Sequence, residues 1–109
     1  MPYEECYNLS YLSEAPLINL SSGRRYYIEG SPVTIDCKAS GKPLPDVAWI
    51  RNGELESSKK EEAFLKFDNI SRTDAGQYTC QANNSVEVTS INTSVVVYCK
   101  YILTLIFYF

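Results

Sequence analysis

From Val33 onward the chain alternates between apolar and polar positions. Val33, Ile35, Cys37 and Ala39 share one parity, and Thr34, Asp36 and Lys38 share the other. Successive side chains of a strand point to opposite faces, so this period of two predicts a half-buried β-strand. The same logic turns Val47 and Trp49 inward on a second strand. Tyr78, Cys80 and Ala82 mark a further strand, and Val95 and Val97 the last. Ahead of Val33, Pro16-Leu17-Ile18 and the stretch from Arg24 through Tyr26 to Ile28 predict a first strand in two pieces. Leu55 falls in a weak edge segment.

Turn residues separate these runs. Glu29-Gly30-Ser31-Pro32 reads as a turn and Gly41-Lys42-Pro43-Leu44-Pro45 as a proline-stiffened loop. Asn52-Gly53 predicts a two-residue type I′ hairpin, since both positions tolerate positive φ. Ser71 to Gly76 forms a corner in which Gly76 supplies backbone freedom. Lys59-Lys60-Glu61-Glu62 reads as a solvated loop or edge. Residues 1–15 lack periodicity and are expected to be an irregular leader. Residues 16–98 carry the pattern of one domain, and residues 99–109 form a short apolar tail.

Composition narrows the function classes. The chain has 109 residues, 45% of them hydrophobic and 13% aromatic, enough for one core but not two. Its formal charge of −3 has the wrong sign for nucleic-acid binding. Histidine is absent, which removes Ser-His and Cys-His nucleophile pairs and imidazole metal ligands. No Cys-x-x-Cys, Gly-rich phosphate loop or Asp-rich calcium loop occurs. No catalytic residue, cofactor site or metal site is therefore expected, and the chain reads as a non-enzyme.

One set of residues is more specific than the alternation. Cys37 is followed about a dozen residues later by Trp49, and some thirty residues on by Asp74-Ala75-Gly76-Gln77-Tyr78-Thr79-Cys80. With Leu65-x-Phe67-x-x-Ile70 and Ala82-x-Asn84, this set resembles the immunoglobulin superfamily, specifically its I-set (C2-like) domains of adhesion molecules and receptors. The resemblance covers residues 16–98. It implies an all-β, two-sheet antiparallel sandwich with Greek-key connections, joined by a Cys37–Cys80 disulfide. Trp49 and Leu65 would be core, Tyr78 would place its hydroxyl on upstream backbone, and Asp74 would anchor the same corner with Gly76. The chain departs from the family pattern in the last hairpin. Where relatives place Gly after an Asn-Ser pair, Val86-Glu87 stands, and a wider or differently bulged turn is expected.

Five of the seven asparagines lie in Asn-x-Ser/Thr: Asn8, Asn19, Asn69, Asn83 and Asn92. Average Ser and Thr content would give about one in seven. Asn83 and Asn92 fall on outward parity. Sequons and a disulfide both point to the secretory route, hence to an extracellular or cell-surface glycoprotein. Met1-Pro2-Tyr3-Glu4-Glu5 has neither a basic start nor an apolar stretch and is no signal peptide. The chain is therefore expected to be a fragment of a longer secreted or membrane protein.

Cys6 and Cys99 flank the domain toward opposite poles, so a bridge, which needs Cα atoms within about 7 Å, is not expected unless residues 1–15 wrap back. The apolar tail is too short to cross a bilayer, which takes about 20 residues. Cys99-Lys100-Tyr101 can be encoded by TGT-AAG-TAT, which contains GTAAGT, the consensus start of an intron. Residues 99–109 are accordingly read as intron read-through.

The expected function is protein recognition or cell adhesion, homophilic or heterophilic, beside neighbouring immunoglobulin or fibronectin-like domains. The outward faces of the strands bearing Trp49, Cys80 and Val95, and the loop of residues 41–46, are the candidate contacts. Two other classes carry the same fold: a spacer in an intracellular titin-like filament, and a non-catalytic ectodomain module of a receptor kinase or matrix peroxidase.

Overall fold

The computed structural model describes residues 12–99. In chain order the strands are β1 (Glu14–Asn19), β2 (Gly23–Ile28), β3 (Val33–Lys42), β4 (Asp46–Arg51), β5 (Glu54–Lys60), β6 (Glu62–Phe67), β7 (Gly76–Asn83) and β8 (Val88–Tyr98). One 3-10 turn, Arg72–Asp74, lies between β6 and β7. The strands form a sandwich of two sheets, ordered β1-β3-β6 and β2-β8-β7-β4-β5.

The alternation of β3 sets the inner face. Val33, Ile35, Cys37 and Ala39 are buried between the sheets. They meet Val47 and Trp49 from β4, Ala63 and Leu65 from β6, Tyr78, Cys80 and Ala82 from β7, and Val95 from β8. Ile70, just past β6, is also fully buried. Its amide donates to the Ser31 carbonyl and its carbonyl accepts from Gly30, which ties the exit of β6 to the turn before β3.

The first strand is split as expected, and its halves lie in different sheets. β1 pairs with β3, with a bulge between Glu14 and Leu17. Pro16 lies in that bulge, on an edge strand, where a missing N–H costs no ladder bond. β2 then pairs with β8 in parallel. This is the one parallel pairing among the described strands; the other pairings are antiparallel, as expected of the two-sheet sandwich. The chain changes sheets between Asn19 and Gly23 without reversing, so β2 runs alongside β8 rather than against it.

Three other boundaries differ from the sequence pattern. β1 begins at Glu14, inside the expected leader. β3 runs on to Lys42, because Glu14 pairs with it. The loop expected over residues 41–45 thus shortens to Pro43, Leu44 and Pro45. The weak segment around Leu55 becomes β5, hydrogen-bonded to β4. A single residue, Glu61 at φ 65°, separates β5 from β6 and leaves no room for another strand between them. Its amide donates to Pro45 at 2.9 Å, and its carbonyl accepts from Ala39 at 2.8 Å. The Lys59–Glu62 run is therefore a sheet-to-sheet crossing whose backbone is fastened, with Lys59, Lys60 and Glu61 exposed and Glu62 half-buried.

The turn between β4 and β5 is as expected: Asn52 at φ 52° and Gly53 at φ 77° have the paired positive values of a type I′ turn.

Candidate functional site

The residues of the cysteine-tryptophan signature come together at the centre of the sandwich. Cys37 of β3 and Cys80 of β7 form a disulfide that joins the two sheets. Trp49 is opposite Cys80 in the β4–β7 ladder, and Ala63 is opposite Cys37 in the β3–β6 ladder. The indole spans the same gap, its Nε1 donating to the Ala63 carbonyl at 3.1 Å. Trp49, Cys37 and Cys80 are all fully buried, so none of them can touch a partner.

Tyr78, Asp74 and Gly76 form the corner before β7. The Tyr78 hydroxyl donates to the Asp74 carbonyl, four residues upstream. The Asp74 carboxylate accepts from the Ser71 amide at 2.8 Å and closes the 3-10 turn. Gly76 leaves the corner at φ 141°, a backbone value that a side chain disfavours. Burial pushes the Tyr78 phenol up; Arg51 draws it down, and the charges of Asp74 and Glu56 push it further up. The group therefore stays a hydroxyl donor.

Arg51 completes the corner, and periodicity did not single it out. Its guanidinium donates to the carbonyls of Thr73 at 2.7 Å and Ala75 at 2.9 Å, and sits 5.1 Å from the Tyr78 ring centre. A basic residue at the end of a strand has no local signature, because both of its acceptors lie more than twenty residues away. Arg51→Ala should cost about 2 kcal/mol, the scale of hydrogen bonds from a charged donor. Arg51→Lys should recover little of it, since both bonds leave Nη2 at the far end of a guanidinium that also covers the Tyr78 ring, and the shorter, compact ammonium reproduces neither reach nor planar contact. Urea midpoints of the three forms would check this.

Four of the five sequon asparagines lie among the described residues: Asn19, Asn69, Asn83 and Asn92. All four are exposed. Asn8 lies outside the described residues, as do Cys6 and residues 100–109. Asn19 is on the outer face of the three-stranded sheet, Asn83 and Asn92 on that of the five-stranded sheet, and Asn69 at the exit of β6. Cys99 follows β8, half-exposed and without a disulfide partner among the described residues.

The outer face of the three-stranded sheet holds an acidic pair. One oxygen of Asp36 is buried without a hydrogen-bond partner. The carboxyl of nearby Glu62 is raised from its ordinary value, first by side-chain interaction with Asp36, then by desolvation and the Asp36 charge. Lys38 and Lys59 pull the other way. A raised folded value means a contribution to stability that is complete below the ordinary glutamate value and fades as pH rises through the raised one. Wild type should therefore gain on Glu62→Gln as pH falls from neutrality toward the carboxylate range. Denaturation midpoints of both proteins against pH test this; parallel curves would contradict it.

No group of three His, Cys, Asp or Glu side chains among the described residues is arranged to hold a metal ion. No described helix is long and apolar enough to cross a membrane.

A family model for the immunoglobulin domain matches residues 15–84. The chain belongs to the immunoglobulin domain family. Members of this family are typically non-catalytic. Mouse hemicentin-1 is 31% identical over 90 residues, covering 77% of this chain and 2% of that protein. The zebrafish striated muscle preferentially expressed protein kinase is 31% identical over 88 residues, covering 72% of this chain and 3% of that protein. Among solved structures, titin domain M7 superposes with a TM-score of 0.68 at 24% identity, over 80% of this chain and 97% of that one. The chain thus corresponds to one module's length of far longer relatives, and it is an immunoglobulin-like module related to adhesion proteins and sharing its fold with titin domains.

The last hairpin of this immunoglobulin domain needs no glycine. Asn83 pairs with Val88, so the turn holds only Asn84, Ser85, Val86 and Glu87, and none of these takes positive φ. The Asn84 carboxamide organises it, its Oδ1 accepting from Val86 at 3.0 Å and from Glu87 at 3.2 Å. Its Nδ2 donates to the carbonyls of Glu14 at 2.8 Å and Pro43 at 3.0 Å. One side chain thus fixes the β7–β8 turn, the β3–β4 loop and the start of β1. The turn around Val86-Glu87 is a four-residue Asx-type turn. Leu44 and Val86 stand exposed at this pole.

Proposed function

We propose that this immunoglobulin domain is an extracellular protein-recognition module, one unit of a longer adhesion molecule or receptor. The observation that carries the proposal is the exposure of Asn19, Asn69, Asn83 and Asn92 together. An oligosaccharide transferred to any of the four would extend into solvent, and five sequons among seven asparagines exceed the about one that average Ser and Thr content gives. The Cys37–Cys80 disulfide is the second support, because such bonds persist in oxidising compartments. Likeness to mouse hemicentin-1 agrees. The domain contributes binding or spacing, with neighbouring immunoglobulin or fibronectin-like domains on either side, and no catalytic group.

A second reading has one specific observation in its favour. The zebrafish striated muscle preferentially expressed protein kinase is as similar in identity as mouse hemicentin-1. On that reading the module is a spacer inside the cell, with Cys37 and Cys80 reduced and no glycan. Expression behind a secretory leader, followed by mass spectrometry of the cysteine linkage and of each sequon, separates the two. The proposal expects an oxidised Cys37–Cys80 pair and occupied sequons. Free thiols with every sequon bare would sink it.

A further inference from the structure

Asn92 sits in a cross-strand row on the outer face of the five-stranded sheet. It is opposite Thr79 in β7, Thr79 is opposite Ile50 in β4, and Ile50 is opposite Leu55 in β5. The row begins with a sequon asparagine and ends on apolar side chains, of which Leu55 is 64% exposed. Thr79 Oγ1 donates to Asn92 Oδ1 at 2.7 Å. That bond holds the carboxamide by its oxygen and leaves Nδ2, the atom that accepts a sugar, free of the sheet. Along the strands the row is flanked by Ser90 and Ser94 in β8, Gln77 and Gln81 in β7 and Ala48 in β4, all uncharged.

We propose that Asn92 carries an N-linked glycan that lies along the Thr79–Ile50–Leu55 row and closes this sheet face to protein partners. In the transfer, C1 of the oligosaccharide forms a bond to Asn92 Nδ2. Its bond to a lipid-linked diphosphate donor breaks, the diphosphate leaves, and Nδ2 loses one proton. Strands lie about 4.8 Å apart, so two spacings, roughly 10 Å, separate Asn92 from β4. A core of several sugars covers that distance, and the apolar C–H faces of its rings meet Ile50 and Leu55. The outward faces of β4, β7 and β8, candidate contacts by sequence, are then glycan surface, and recognition falls to surfaces off that face.

The proposal rests on the secretory reading, and one experiment separates their failures. The full chain is secreted from animal cells behind an added leader, as wild type and as Ser94→Ala, which removes the sequon but keeps the Asn92–Thr79 bond. Glycopeptide mass spectrometry gives the occupancy at Asn92, and hydroxyl-radical footprinting gives the exposure of Ile50 and Leu55. The expected result is a glycan at Asn92 and labelling of both side chains several-fold lower in wild type, with Leu17 on the other sheet labelled equally in both. A bare Asn92 beside occupied Asn19 or Asn69 overturns the proposal and spares the secretory reading; all sequons bare overturns both. Equal labelling of Ile50 and Leu55 despite a glycan also overturns it. If Ser94→Ala fails to fold, enzymatically deglycosylated wild type serves as the comparison.

Discussion

Replacing Trp49 with alanine should lower the unfolding free energy by about 3–5 kcal/mol, the range for truncating a buried aromatic side chain. The indole is fully buried and sits where both ladders converge on the disulfide. Removing it leaves a void that the two sheets cannot close, because the Cys37–Cys80 bond fixes their separation at that point. It also removes the donor to the Ala63 carbonyl, and a buried acceptor left unpaired adds to the loss. Small domains have about 5–15 kcal/mol of stability in all, so the variant should lose a large share of it. Trp49→Phe, which refills part of the volume but offers no N–H, should fall between the two. Chemical denaturation of the three proteins is the test. A change within about 0.5 kcal/mol, as at ordinary surface sites, would contradict the packing role.

The second large effect is expected from the disulfide. Cys37 and Cys80 are 43 residues apart. Closing a loop of that length restricts the unfolded chain by about 4 kcal/mol in the chain-entropy treatment. Cys37→Ala with Cys80→Ala should therefore cost about that much, and replacing both avoids leaving a lone buried thiol. Because Trp49 packs at the same point, the triple variant should lose less than the sum, since contacting residues couple. An unchanged midpoint on removing both cysteines would mean that the bond does not form in the protein as made.

How much was legible in the sequence depended on how local each cause was. The inner face of β3 followed from alternation alone, since strand geometry imposes it residue by residue. The Asn52-Gly53 turn followed from the backbone freedom of two adjacent residues. Arg51 and Asn84 were different. Arg51 matters through carbonyls of Thr73 and Ala75, and Asn84 through carbonyls of Glu14 and Pro43, acceptors that become neighbours only in the folded state. The glycine rule behind the reading of Val86-Glu87 concerns backbone angles, whereas this turn is held by the Asn84 side chain. Glu61 read as a solvated charge because its side chain is one, while the crossing it makes is a property of its backbone.

The sequence by itself determined the parity of β3, β4, β7 and β8, most residues of the core and the family they belong to, because burial on one face requires a period of two and the buried centre requires its particular cysteines and tryptophan. It also determined that Asn83 and Asn92 face outward. Only the tertiary structure decided which strands neighbour one another: that β2 runs parallel to β8, that β5 stays with β4, and that Asn92, Thr79, Ile50 and Leu55 fall in one row. Strand pairing is a choice among segments distant along the chain. It is settled by how the two sheets close over a shared core, which no single segment encodes.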